Sequence, residues 1–373
     1  MELRFLDPVY ETDASVASVY LDTTRSVENA PKEIELRWRG LRERLASDGA
    51  PEDTLAALDE VVGTDLGMPG PHGTAYFAAE GRVLAGYTLS RRPDQDRASW
   101  LPVPDTLPLI ADRDAAVPYV LAQVDRVGAD IHAYGAGGEV DERSVDGGTL
   151  HIRKVHVGDW AHKHYQRRSE NLWAENAARV ADDVETAVTE VGARLLLVTG
   201  DVRALAALRE HLLDTSLSIL VEIEGGGRGE GSHSAGLDEA VDEAVGAYAA
   251  RERAELIGAY EQERGRDRRA VDGGSGTAAA LSQGQVDTLL IDADGVDGEL
   301  WASPAEAQLV SDQADAPEFA GRGAPIHAPG DALLIRAAHA TDAEVVTVAG
   351  VDSSRLSLRD HVGAVLRFTT VPE

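Results

Sequence analysis

Between residues 151 and 168 the chain gathers His151, Arg153, Lys154, His156, His162, Lys163, His164, Arg167 and Arg168, with Asp159 as the sole acid among them. Guanidinium and ammonium groups at this density neutralise phosphate oxygens, and imidazoles add further donors. Trp160, set among them, offers an aromatic face on which a base can stack. The formal net charge of the whole chain is -30. A polyanion is repelled by such a molecule except where the sign reverses, so this island is the expected place of contact with nucleic acid. The competing reading is a solvated helix face answered by acids elsewhere, which is the usual fate of a charge run. The histidines do not spell a metal site. His162 and His164 are two apart and diverge on a helix, and no Glu stands between two His at helical spacing. With no cysteine in the chain, thiol nucleophiles, zinc ribbons, iron–sulfur clusters and disulfides are excluded. No catalytic residue and no cofactor are expected from the residue types alone.

The elements that must hold this island can be read from periodicity. Tyr165, Ser169, Leu172, Asn176 and Val180 fall within one arc at 100° per residue, with Trp173 and Val184 beside it. This predicts a long helix starting close to His162, with Trp160 just ahead of it. Lys163, His164, Arg167 and Arg168 lie outside the arc, so the buried stripe leaves a basic outer face near the N-terminus. Ahead of it, Thr149 to Val155 reads as a strand carrying Arg153 and Lys154. Tyr119 to Val124 and Ala129 to Tyr134 read as strands. Arg194 to Thr199 and Leu217 to Ile223 read as buried strands around an intervening helix, giving α/β character. Glu224 to Gly231 is glycine-rich, without the following Lys-Ser/Thr pair of a phosphate loop, and reads as a linker. Leu237 to about Gly265 reads as a charged bridging helix.

On either side of this stretch lie two further segments. Val16 to Leu21 reads as a strand, and Ile34, Trp38, Leu41 and Leu45 as one face of a helix. Thr74 to Ala78 and Arg82 to Thr88 form a hairpin around Glu80-Gly81. The proline-rich run from Leu101 to Pro108 cannot continue a regular element and marks a boundary near 115. After residue 250, helices at Thr277–Ser282 and Ala332–Ala340 alternate with strands at Val286–Ile291, Glu344–Val348 and Val362–Phe368. Trp38 and Trp301 read as packing residues. The expected division is therefore 1–115, 116–250 and 251–373. At 43% hydrophobic and without a long apolar run, the chain is expected to be neither disordered nor membrane-spanning. The start, Met1-Glu2-Leu3-Arg4-Phe5, shows no secretory signal, which makes a cytoplasmic location the expectation.

Three stretches together resemble the archaeo-eukaryotic peptide-chain release factor and Pelota superfamily, in particular its bacterial branch, which includes a ribosome hibernation factor. They are Ala270-Val271-Asp272-Gly273 with Gly284-Gln285-Val286-Asp287-Thr288-Leu289-Leu290-Ile291, the pair Ala340–Val346 and His361–Phe368, and Tyr165-Gln166-Arg167-Arg168-Ser169-Glu170-Asn171-Leu172-Trp173. The resemblance covers most of 115–373. It implies an α/β (α+β) three-domain release-factor-like architecture with a C-terminal α/β domain like that of a ribosomal protein. It also implies the ribosome, through rRNA and tRNA, as partner, and a translational GTPase as the means of delivery. The superfamily's hydrolytic Gly-Gly-Gln falls here on Gly158, Asp159 and Trp160, so the Gln is missing. An indole can stack and donate one hydrogen bond but cannot serve as a base. The expectation is a ribosome-binding factor acting in hibernation, stalling or rescue, with Arg153, Lys154, Gly158, Asp159, Trp160, His162, Lys163, His164, Arg167 and Arg168 as its contact residues. The alternatives are a peptidyl-tRNA hydrolase with a divergent loop and a stress-related α/β protein with no RNA partner.

Overall fold

Apolar runs bounded by turn residues become strands in four separate sheets among the residues that the computed structural model describes, which are 1–25, 29–64, 72–135, 138–146, 159–225, 235–265, 269–349 and 356–368. The chain folds into two compact units, one made of Met1–Ala115 with Ala254–Glu373 and the other of Ala116–Arg253.

The first unit opens with β1 (Val16–Asp22), α1 (Ala30–Ser47), α2 (Glu52–Val61), β2 (Gly73–Ala79), β3 (Arg82–Leu89), β4 (Arg97–Leu101) and α3 (Leu107–Ala115). The strands make an antiparallel sheet in the order β3-β2-β1-β4. Ile34, Trp38, Leu41 and Leu45 line the buried face of α1, as their spacing predicts. The β2–β3 hairpin turns through Glu80 and Gly81, both at positive φ (52° and 72°), as a two-residue turn matched to the strand twist requires. The proline-rich run does not end regular structure throughout. Pro108 is the second residue of α3, where the N–H it lacks would have had no intrahelical partner.

The second unit contains β5 (Tyr119–Val124), β6 (Gly128–Gly135), β7 (Gly138–Asp146), α4 (Asp159–Val191), β8 (Leu195–Gly200), α5 (Val202–Arg209), α6 (Asp214–Ser218) and β9 (Leu220–Glu222). Its sheet runs β7-β6-β5-β8-β9. β5, β8 and β9 are parallel, while β6 and β7 are antiparallel to their neighbours. Strand alternation divides the apolar residues between two layers. Val120, Ala122, Ile131, Leu196 and Val198 pack with Val180, Val184 and Ala187 of α4 and with Leu205 and Leu208 of α5. Leu121, Leu195 and Leu197 pack with Leu237 and Val241 at the start of α7 (Ala235–Gly265). The predicted strand at Thr149–Val155 and the glycine-rich stretch from Gly226 onward lie outside the described residues. The third described strand is instead β7, whose sequence is mostly charged. The predicted strand at Leu217–Ile223 shortens to β9, because Leu217 and Ser218 close α6.

The first unit resumes with β10 (Ala270–Asp272), α8 (Gly274–Ser282), β11 (Val286–Asp292), β12 (Glu299–Ala302), β13 (Val310–Ser311), β14 (Ile326–Pro329), α9 (Gly330–Ala340), β15 (Glu344–Val348) and β16 (Val362–Leu366). They make a four-stranded sheet, β10-β16-β11-β15, and a small three-stranded one, β13-β12-β14. Leu6, Val9, Phe77, Leu109 and Ile110 share one buried cluster with Leu281, Leu289, Leu333, Leu334 and Val345. The N-terminal ammonium donates to the Val345 carbonyl at 2.8 Å. Asp114 accepts from the Thr347 amide at 2.8 Å and its hydroxyl at 2.9 Å. No helix among the described residues is long and apolar enough to cross a membrane.

Candidate nucleic-acid interface

α4 begins at Asp159, three residues earlier than the apolar periodicity places it. Asp159 and Trp160 therefore belong to its first turn and not to a preceding loop. A carboxylate there is favoured by the partial positive charge of the helix N-terminus, a signal that carries no apolar period and so escapes a periodicity reading. His162, Lys163, His164, Arg167 and Arg168 follow within the next three turns. Arg153, Lys154 and Gly158 lie outside the described residues. Further along, the predicted stripe is in place: Asn176 is 3% exposed, Val180 is 1% exposed and Val184 is fully buried.

The described part of α4 forms one wall of a crevice at the carboxyl ends of β5 and β8. From β5 the chain turns back to β6 on one side, and from β8 it passes through α5 and α6 to β9 on the other. Strand order thus reverses between β5 and β8, and in open α/β sheets ligand crevices lie at such points. The two strand ends are drawn close together. Gly200, at φ +133°, sits where a Cβ would come within 1.9 Å of the Val124 carbonyl oxygen, so no side chain fits. The next residue, Asp201, donates its amide to that same carbonyl at 3.0 Å.

Asp201 then caps α5, its carboxylate accepting from the amides of Arg203 (3.0 Å) and Ala204 (3.2 Å). It also receives two hydrogen bonds from the Arg126 guanidinium, at 3.3 and 3.1 Å. The Arg126 contact, followed by the helix amides, holds the Asp201 carboxyl below its ordinary range. Asp125 accepts from the amides of Val127 (2.7 Å) and Gly128 (2.8 Å), stapling the turn into β6. Asn176 of α4 donates to the Arg126 carbonyl at 3.2 Å. The Arg126 backbone is thus fixed from the helix, while its side chain stays 41% exposed. Arg203 and His211 stand exposed nearby.

None of Arg126, Asn176, Asp201, Arg203 and His211 stands out from the sequence as a site residue. A signal existed in Gly200-Asp201, a glycine and an N-cap residue at the end of a buried strand. Trp38 and Trp301 do pack, each with a polar contact. The Trp38 indole N–H donates to Asp59 at 2.8 Å, and the Trp301 ring stacks on His327 at 4.2 Å.

The second unit is thus an α/β module with a long helix, basic in sequence at its start, beside a switch-point crevice. Residues 118–266 match the model of bacterial archaeo-eukaryotic release factor family 2. Uncharacterized protein Rv2629 of Mycobacterium tuberculosis strain H37Rv is 29% identical over 367 residues, covering 94% of this chain and 93% of its own. Among solved structures, an archaeal translation termination factor, aRF1, aligns with 98% of this chain and 96% of its own at 17% identity and a TM-score of 0.27. Dom34 of Saccharomyces cerevisiae, described as a translation termination-like factor that interacts with Hbs1, aligns over 81% of both chains at 7% identity and a TM-score of 0.43.

Proposed function

We propose that the protein is a ribosome-binding translation factor that occupies the A site in hibernation, stalling or rescue and does not hydrolyse peptidyl-tRNA. The observation that carries this reading is the family match over 118–266, a span that includes all of α4 and the whole basic island. In this reading Arg153, Lys154, Lys163, Arg167 and Arg168 neutralise rRNA or tRNA phosphates, and Gly158, His162 and His164 lie against the same backbone. Trp160 stacks on a base, and a translational GTPase delivers the factor in the cytoplasm. The acidic remainder of the molecule keeps non-specific RNA contacts weak and confines binding to the island.

Hydrolysis is disfavoured by the residues at the Gly-Gly-Gln positions. Gly158-Asp159-Trp160 offers no amide side chain to orient water, and Asp159 has a structural reason to be where it is, at the start of α4. Losing one well-placed polar group from an active site costs about 2.7–4 kcal/mol of transition-state stabilisation. The second reading, a hydrolase using Asp159 as base, predicts ester cleavage that disappears in Asp159→Ala.

Co-sedimentation of the purified protein with ribosomes over a salt series tests the proposal. Log affinity should fall with log salt at a slope of about 0.7–0.9 per phosphate neutralised. Changing Arg153, Lys154, Lys163, Arg167 and Arg168 together to Gln should remove most of the binding. Binding unchanged in that variant at every salt concentration would refute the proposal.

A further inference from the structure

Of the six large apolar side chains that stand exposed among the described residues, three fall within residues 213–221: Leu213 (61% exposed), Leu217 (36%) and Val221 (38%). Leu213 is the N-cap of α6, and Leu217 follows one turn later on the same helix face. Val221 is the middle residue of β9, the outermost strand in the order β7-β6-β5-β8-β9. Apolar groups left open beside a sheet edge mark a place where another chain can pair.

The backbone of β9 is turned the right way for pairing. Ile219 accepts from the Leu196 amide at 2.9 Å and Ile223 donates to the Val198 carbonyl at 3.0 Å, so odd-numbered residues of this stretch face β8. Successive residues of a strand send their N–H and C=O groups to opposite sides, which directs those of Leu220 and Glu222 to the outer edge. Two other sheet edges are closed. β7, at the far end of the same sheet, carries Glu139, Asp141, Glu142 and Arg143. On β15 of the first unit, Val345 donates its amide to the Met1 carbonyl at 3.0 Å, and Thr347 donates its amide to Asp114 at 2.8 Å. β9 carries one charge, Glu222, which Arg209 holds at 3.0 Å.

The surroundings of this edge select its occupant. Just past β9, Gly225 runs so near α7 that a Cβ there would lie 3.4 Å from the Gly236 backbone, and Ile223 packs with Leu237 and Val241. The start of α7 therefore stands beside the edge. It carries Asp238, Glu239, Asp242 and Glu243 and no cation before Arg251. RNA is repelled by such a rim and has no peptide groups to extend a ladder, and a second copy of this chain would bring the same acids against it.

We infer that β9 takes a strand from a partner protein, an extended segment in which Lys or Arg alternates with apolar residues. Its peptide groups pair with those of Leu220 and Glu222. Side chains alternate across a sheet, so its apolar residues extend the layer of Leu220, on the side of α4 and α5. Its cations fall on the other side, where Val221 lies next to Leu197 and the acids of α7 begin, and their alkyl stems cover Val221. With three residues in β9 the ladder is short, so the side chains share the hold. The inference stands apart from the RNA reading of α4.

The test is a titration of the full-length protein with a fluorescent Lys-Val-Lys-Val-Lys-Val-Lys peptide, followed by anisotropy. The controls are the same peptide with its central Val changed to Pro, its Glu-Val counterpart and a short oligouridylate. Saturable binding is expected for the Lys-Val peptide alone. Val221→Lys, at an exposed position, should weaken it about tenfold or more, with thermal melting confirming that the variant folds. Changing Glu239 and Glu243 to Gln and Asp242 to Asn should weaken binding and flatten its salt dependence. The inference is overturned if the Lys-Val peptide does not bind, if the Pro or Glu-Val peptide or the oligouridylate binds as tightly, or if Val221→Lys leaves the affinity unchanged. A dimer in sedimentation that Val221→Lys dissolves would also overturn it, by assigning the edge to a second copy.

Discussion

Single residues set the geometry of the switch-point crevice, and two of them make sharp predictions. Gly200→Ala would drive a Cβ into the Val124 carbonyl at a backbone angle that L-residues rarely adopt. Backbone strain and overpacking each cost about 1–3 kcal/mol, so the variant should lower the denaturation midpoint and raise hydrogen exchange in β5 and β8. A variant with parental exchange there would contradict the geometry. Asp201 has a capping role and an ionic one. Asp201→Ala should cost about 1 kcal/mol for the lost cap, while Asp201→Asn keeps a cap and loses the Arg126 pair. Because the folded carboxyl sits below its ordinary value of 3.8, its contribution to stability is full above that value and is lost as pH falls through the lower, folded one. The gap in unfolding midpoint between parent and Asp201→Asn should therefore be open at neutral pH and close in strong acid. A gap that widens on acidification would reverse the sign of this linkage.

Among whole elements, those with a clean period were legible and those without one were not. α1, α8, α9, β1, β5, β8, β11 and β15 follow from apolar spacing, and α4 follows from the arc that ends in Asn176 and Val180. β7 was not legible, because an edge strand such as Glu139-Val140-Asp141-Glu142-Arg143 carries charges along most of its length. Its Arg143 is held by Asp141 and Glu190, a pattern that reads as loop in the sequence. The small β13-β12-β14 sheet was also missed, since strands of two to four residues are too short to show a period of two. The crevice escaped for a different reason. Its side chains come from the end of β5 and the turn after it, from α4, and from α5 and the residues just beyond it, up to 87 residues apart between Val124 and His211, and a single sequence does not show which loops converge. The helix reading carries its own prediction: Val184→Ala, in the centre of the layer between α4 and the sheet, should cost about 2–3 kcal/mol through lost burial and the void left behind. Urea denaturation followed in the second unit reads this directly, and a change below about 0.5 kcal/mol would mean that α4 does not pack as described.

Across the whole molecule, the first and last stretches of the chain share one apolar core that joins Leu6, Phe77 and Ile110 to Leu281, Leu333 and Val345. Residues 1–115 and 254–373 should accordingly lose protection together. Leu281→Ala, at a fully buried position, should destabilise by about 2–5 kcal/mol and speed exchange in β1 and β2 as well as in β11. Faster exchange confined to the C-terminal stretch would show that the shared core does not couple them. At this scale too, the net charge of -30 bears on the proposed function, because it would confine attraction to RNA to the basic island. The most direct measurement is site-specific photocrosslinking from position 164, near the start of α4, in protein bound to ribosomes. The account predicts crosslinks to ribosomal or transfer RNA that fade as salt rises. Ribosome-bound protein that crosslinks from this position only to protein, or to nothing, would contradict it.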